Sequence, residues 1–212
     1  MKLKTEQENF WMGDFGDKYC ERNIGEKLIA SNIALFSKIL SRTTNINSVI
    51  EFGANIGLNL IAIRKLLPGI ESSAIEINKK AVVALEKLKE IKVYPISIFD
   101  FVPDYQRDFV FTAGLLIHIN PEKLQDAYDL IYNTSKRYVC IIEYYNSSPV
   151  VIEYRGHKNM LFKRDFAGEI MDKYKDLVLI DYGFVYHGDN VFPADDATWF
   201  LLEKHKGQDK NG

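Results

Sequence analysis

The chain has 212 residues, 47% of them hydrophobic, with 27 Lys and Arg against 29 Asp and Glu and a net charge of −2. Length and apolar content suit one domain with a full core, and the near-neutral balance excludes the basic excess of a broad nucleic-acid footprint. The polar start MKLKTEQENF lacks the apolar centre of a secretory signal, and no run of about 18 apolar residues follows; the expectation is a cytoplasmic protein without a membrane span.

In chain order, TEQENFWMGDFGDKYCERN (5–23) mixes aromatics with charge and predicts short helical pieces broken near Gly13 and Gly16. Ile24, Leu28, Ile29, Ile33, Phe36, Ile39 and Leu40 then recur at helical spacing. A turn at 45–48 leads to a short apolar strand, 49–52, that runs into glycine. Helical spacing resumes over 58–67 and stops at Pro68-Gly69. The alternation repeats: strand 73–77, helix 78–91 capped by Asn78, strand 93–98, strand 109–112 with Gly114 beyond it, and a helix entered through Asn120 and Pro121. Strand 137–143 is apolar on both faces, as a central parallel strand is. Residues 144–163 read as a long loop, 164–174 as a helix, and 177–186 and 198–204 as an antiparallel pair at the sheet edge.

These seven strands predict an α/β chain of Rossmann-like type: a mostly parallel seven-stranded sheet, a C-terminal antiparallel hairpin and helices on both faces. The expected organisation is an N-terminal lid and helical segment (1–45), a core (46–206) and a frayed tail (207–212). Cys20 and Cys140 have no CxxC partner and read as reduced thiols.

The chemistry gathers where predicted strands end. Glu51-Phe52-Gly53-Ala54-Asn55-Ile56-Gly57 is a strand, a glycine turn and a helix start, where free amides meet a ligand. A dinucleotide fingerprint, GxGxxG counted from Gly53, would need glycine at Asn55 and Leu58. The spacing present, E-x-G-x-x-x-G, is that of the first motif of Rossmann-like methyltransferases. Glu76 ends the next strand, where a carboxylate accepts hydrogen bonds from both ribose hydroxyls; its alternative is a solvated surface acid. Ile77 adjoins it. After the third strand, Ser97, Ile98, Phe99 and Asp100 would flank an adenine, the apolar pair covering a ring face and Asp100 reading the polar edge, whereas Phe101 reads as packing. Gly114 lets a ligand approach the exit of the fourth strand. Together these predict S-adenosyl-L-methionine as the cofactor.

With those residues in place, the chain resembles the pseudaminic acid biosynthesis-associated methylases, which are class I methyltransferases. The resemblance is carried by TEQENFWMGDFGDKYCERN, EFGANIGLN, FTAGLLIHINP, EYRGHKNMLFKRDFAGEIMDKY and DYGFVYHGDNVFPADDATWFLLEK. It implies the fold, the cofactor and a surface-sugar context: methyl transfer to O or N of a small acceptor, a nonulosonic or nucleotide-linked sugar; the charge balance, separately, predicts no nucleic-acid partner.

Methyl transfer from a sulfonium needs alignment and exclusion of water, and a hydroxyl acceptor gains from a general base. His118, after the fourth strand, is the leading base; the alternative is a packing histidine. His187 and Glu143 are weaker candidates. Trp11, Phe15 and Tyr19 would close over the cofactor with Arg22 on its methionine carboxylate, or else form a helix packed on the sheet. Glu51 would hold the cofactor's ammonium, or only order the turn. The acceptor candidates are Tyr144, Tyr145, Arg155, His157 and Arg164, the last with an alternative as a surface pair to Asp165 or Glu169. Asp189, Asp195 and Asp196 are too irregularly spaced for a metal site, and none is assigned. Two rivals share the fold logic: a nicotinamide-dependent oxidoreductase, which the glycine spacing opposes, and a non-catalytic module that binds the cofactor.

Overall fold

A computed structural model describes residues 5–22 and 25–205; Ile24 of the anticipated amphipathic helix and the expected tail lie outside them. The chain opens with α1 (Glu6–Met12) and α2 (Asp14–Arg22), then α3 (Glu26–Leu40). The alternating part follows: β1 (Ser48–Phe52), α4 (Leu58–Leu66), β2 (Glu71–Ile75), α5 (Lys79–Glu86), β3 (Ile91–Tyr94), β4 (Arg107–Ala113), α6 (Leu124–Thr134) and β5 (Ser135–Glu143). Next come β6 (Val150–Tyr154), β7 (His157–Lys163), α7 (Phe166–Lys173), β8 (Leu177–Val185) and β9 (Ala197–Lys204).

Seven strands form one sheet in the order β3-β2-β1-β4-β5-β9-β8. The first five are parallel, and β9 and β8 add antiparallel. Period-two alternation sorts the strand residues onto two faces. Val49, Phe109, Phe111, Cys140 and Leu201 pack with α3, α4 and α5. Ile50, Phe52, Val110, Val139, Ile141 and Leu202 pack with α6 and α7. The strand order reverses between β1 and β4, and in open α/β sheets ligands bind beyond the carboxyl ends at such a switch point.

Two expectations need correction. Residues 144–163 are not a loop: β6 and β7 form a separate antiparallel hairpin. Its turn is Arg155-Gly156, both at positive φ (50° and 83°), between the paired Tyr154 and His157; that two-residue geometry matches the twist of a hairpin. The β-branched run Val150-Val151-Ile152 ahead of a glycine was the overlooked signal. Second, the N-terminal chain breaks at Gly13 but not at Gly16, which lies inside α2. Among the described residues no helix is long and apolar enough to cross a membrane. Both cysteines are buried free thiols.

Candidate active site

A cavity of about 540 Å³ opens at the carboxyl ends of β1, β2 and β4, within the size range of small-molecule sites. The turn after β1 forms its floor. Gly53 has φ 73°, and a Cβ there would come within 2.8 Å of the Leu115 side chain. Glycine at this position therefore meets both a conformational and a steric demand. Gly57 also has positive φ, but its missing Cβ makes room for Leu85 and Leu88; it packs the turn and does not line the cavity.

Glu76 is 8% exposed and holds the turn together. Its Oε2 accepts from the Asn55 amide and its Oε1 from the Asn78 amide, each at 2.7 Å. Burial raises its pKa while these amides pull it down. Glu51 is 1% exposed. Its Oε1 accepts from Asn59 Nδ2 at 2.7 Å, and its Oε2 is buried without a hydrogen-bond partner among the described residues. Burial drives its pKa well above the ordinary carboxylate range, against the Asn59 bond. A buried carboxylate oxygen without a partner is costly, so Glu51 is suited to receive a cation.

The cavity is lined by the carboxylates Glu8, Glu51, Glu76 and Asp195 and, among the described residues, by no lysine or arginine. Ile77, Ile98 and Phe99 form an apolar wall beside Ser97. Ser97 Oγ accepts from the Phe99 amide and donates to Glu8, so it shapes its own turn. Asp100 is exposed and stands outside the cavity, and Phe101 is buried in the core against Phe52 and Tyr94.

The N-terminal helices cover this cavity. Thr5 and Glu8 form a capping box at the start of α1, and Gln7 Nε2 reaches the Asn159 carbonyl of β7 at 2.9 Å. Asn78 caps α5 through its Oδ1 and donates its amide to the Trp11 carbonyl (3.1 Å) and to Asp17 (2.8 Å). Cys20 Sγ donates to Asn55 Oδ1 at 3.1 Å, and burial, with Glu76 nearby, pushes the thiol up to about 11, so it stays protonated. Gly16 lets α2 approach so closely that a Cβ there would sit 1.9 Å from the Trp11 carbonyl oxygen. Gly16→Ala is therefore expected to loosen α1 and α2 by about 1–3 kcal/mol, the range for overpacking, with the sheet intact. Hydrogen exchange would show it as faster exchange confined to residues 5–22, and wild-type protection there would refute it.

Trp11, Tyr19, Tyr144, Tyr154 and His118 close the far side of the cavity. His118 is 6% exposed, packs at 4.6 Å from Trp11 and 5.0 Å from Tyr154, and its Nδ1 lies 2.5 Å from the Met160 carbonyl. A carbonyl only accepts, so Nδ1 carries the proton and Nε2 keeps a lone pair. Burial lowers the His118 pKa from 6.5 to about 4, although the Met160 bond works the other way. The folded protein thus binds this proton less readily than the unfolded chain, and its stability falls as pH drops from 6.5 through 4. The wild type is expected to lose about 3 kcal/mol more than His118→Gln between pH 7 and pH 4. Parallel urea titrations of both proteins would measure it, and coincident acid limbs would contradict it.

The remaining anticipated residues separate. Glu143 lies beneath the site and not in it: its carboxylate accepts from the Leu115, Leu116 and Ile117 amides. Arg164 pairs with Glu169 at 2.6 Å, the surface-pair alternative. Tyr145 is exposed beside Phe200, and His157 packs against Phe10 and Phe15 of the N-terminal helices. Arg22 lies over Phe15 and Tyr19, outside the lining, and Arg155 lies over Tyr154. His187 lines the mouth but is paired with Asp196 at 2.8 Å. The three loop acids diverge: Asp189 accepts from Val191 and Phe192, Asp196 holds His187, and Asp195 borders the cavity. Sequence inspection missed Glu8, Asn59, Asn78 and Tyr154 as site residues; only the Thr5-x-x-Glu8 capping pattern gave a local hint.

No protein-family model and no curated protein sequence matches the chain. Solved structures do. The Burkholderia thailandensis 1,6-didemethyltoxoflavin N1-methyltransferase, with S-adenosylhomocysteine bound, superposes with TM-score 0.71 at 13% identity over 97% of this chain and 93% of its own. A SAM-dependent methyltransferase from Archaeoglobus fulgidus gives 0.65 at 15% identity over 90% and 100%. The magnesium protoporphyrin IX methyltransferase from Synechocystis PCC 6803, with SAM bound, gives 0.62 at 10% identity over 97% and 100%. At these identities the likeness establishes a common Rossmann-like fold.

Proposed function

We propose that the protein is an S-adenosylmethionine-dependent methyltransferase acting on a hydroxyl or amine of a small molecule in the cytoplasm. The observation that carries this is Glu51: a buried carboxylate with one oxygen unpartnered, beside the glycine turn, in a cavity lined by four carboxylates and, among the described residues, by no lysine or arginine. Such a site favours a ligand with cationic groups and disfavours the pyrophosphate of a nicotinamide cofactor. S-adenosylmethionine has an ammonium and a sulfonium, and when bound it supplies an activated methyl group. Neighbours of the same fold were crystallised with S-adenosylhomocysteine or SAM.

Within this proposal Glu51 receives the ammonium, Gly53, Asn55 and Gly114 give backbone access, and Glu76 faces the ribose. Ile77, Ile98 and Phe99 cover the adenine, with Ser97 shaping its turn, and Trp11 and Tyr19 exclude water from above. Gly57 and Asp100 have no contact role in it, and Arg22 is released from the cofactor. His118 is the base candidate: Nε2 is held toward the acceptor side by the Nδ1–Met160 bond. With its pKa near 4 it is unprotonated at neutral pH and a weak base, which suits an acceptor whose proton leaves late. The sugar acceptor implied by the sequence resemblance fits a chamber walled by tyrosines and an acid.

Calorimetric titration with S-adenosylhomocysteine and NAD, followed by transfer of a labelled methyl group into a sugar extract, tests the proposal. Binding of the former and label in a sugar are expected; binding of NAD alone would overturn it. His118→Ala is expected to lower turnover at least tenfold with cofactor affinity retained, and equal turnover at saturating acceptor would remove His118 from the chemistry.

A further inference from the structure

The far end of the cavity differs in character from the cofactor floor. Tyr19, Tyr144 and Tyr154 come from α2, from the segment after β5 and from the β6–β7 hairpin, and Asp195 joins them from the loop before β9. Asp195 is within hydrogen-bonding reach of Tyr144; burial, reinforced by the Asp195 charge, raises both the Tyr144 and Tyr19 phenols, so they stay protonated and able to donate. This end therefore presents donors and one acceptor carboxylate and, among the described residues, no lysine or arginine inside.

Cations stand outside the lining: Lys163 Nζ is 5.1 Å from the Tyr144 ring centroid, and two arginines border the other tyrosines. Arg22 Cζ is 5.8 Å from the Tyr19 ring centroid, and Arg155 Cζ is 5.9 Å from that of Tyr154. Arg22 also lies 5.6 Å from the Phe15 ring centroid, and that ring is 5.6 Å from Tyr154, so the two guanidinium groups flank one aromatic cluster at the mouth. Neither has a carboxylate at ion-pair distance among the described residues, whereas Arg42, Arg64, Arg107, Arg137 and Arg164 each do. Arg155 is also held at φ 50°, in a turn position where asparagine or glycine would be relaxed. Backbone strain of this kind, about 1–3 kcal/mol, gathers at ligand clamps. Arginine matches a carboxylate or phosphate through its planar fork.

Building on the methyl-transfer proposal, we infer that the acceptor is bipolar. Its uncharged or amino head, bearing hydroxyl or amine donors, enters the chamber of Tyr19, Tyr144, Tyr154 and Asp195. Its anionic handle, a phosphate or carboxylate, stays at the mouth between Arg22 and Arg155. The carboxylates of the interior repel the handle and the rim captures it, so the acceptor enters in one direction and presents its head to the methyl donor.

Titrating the full chain, saturated with S-adenosylhomocysteine, with glucosamine 6-phosphate and with glucosamine separates the two ends. The phosphorylated sugar is expected to bind at least tenfold more tightly. Arg155→Gln and Arg22→Gln should each cut that advantage below threefold without changing affinity for S-adenosylhomocysteine, and Asp195→Asn should weaken both sugars alike. Equal affinities, preference for the uncharged sugar, no binding of either, or loss of S-adenosylhomocysteine affinity in Arg22→Gln would overturn the inference. Should S-adenosylhomocysteine itself fail to bind, the methyl-donor proposal falls, while the sugar pair titrated into free protein still decides the rim.

Discussion

Glu76→Ala is expected to weaken S-adenosylhomocysteine binding at least a hundredfold. The carboxylate has two tasks in one place. It accepts from the amides of Asn55 and Asn78, which fixes the glycine turn against the start of α5, and in the proposed function it faces the ribose hydroxyls. Alanine leaves two buried amides without acceptors, at about 1–3 kcal/mol for each unsatisfied group, and removes the ribose contact as well. The effect extends outward, because Asn78 also fastens the Trp11 carbonyl and Asp17, so α1 and α2 should lose protection in the same variant. Glu76→Gln separates the tasks in part: its carbonyl oxygen can still serve one amide while its own amide opposes the other, so about half the stability loss of alanine is expected, with binding still impaired. Calorimetry on both variants measures the effect, and wild-type affinity in Glu76→Ala would exclude the residue from the site.

Glu143→Ala is expected to destabilise the fold by about 3–5 kcal/mol, the scale for breaking a buried charged network. Glu143 is 2% exposed, and burial pushes it up to about 7 although three successive backbone amides hold it down. Those amides, from Leu115, Leu116 and Ile117, belong to the turn by which β4 leaves the sheet and delivers His118 to the cavity. Without the carboxylate the turn has three orphaned donors in the core. Glu143→Gln keeps a carbonyl for Leu115 and Leu116 but opposes its own amide to that of Ile117, so about half the loss is expected. Urea unfolding provides the values, and a loss below about 1 kcal/mol in Glu143→Ala would mean that the turn holds itself.

The alternation of short apolar strands with amphipathic helices was sufficient to predict the parallel sheet, because period 2 and period 3.6 are local properties of the chain. The same holds for the cavity floor. Gly53, Asn55 and Glu76 stand at strand ends, and in a doubly wound sheet strand ends are where ligands bind, so position in sequence already implied position in the site. Ser97, Ile98, Phe99 and Gly114 line the cavity for that reason.

The acceptor side required the tertiary structure. Arg164 is the same residue type as Arg155, in the same stretch, yet one is paired to Glu169 and the other stands over Tyr154 at the mouth. The Glu169 pairing, five residues away, was already open as a local alternative, whereas the cavity that Tyr154 lines is closed by segments far apart in the chain. Glu143 read as a weaker candidate for the base at a strand end, and its hydrogen bonds place it anchoring a turn. Glu8 meets Ser97 across 89 positions and Gln7 meets Asn159 across 152; pairings at such separation leave no period to read. The sequence by itself determined the fold, the glycine turn and the carboxylate beside it, because each follows from local geometry. Only the packing of the N-terminal helices, the β6–β7 hairpin and the loop before β9 onto one cavity decided which tyrosines and acids share it and which arginines stand beside them, because those contacts are made between segments far apart in the chain.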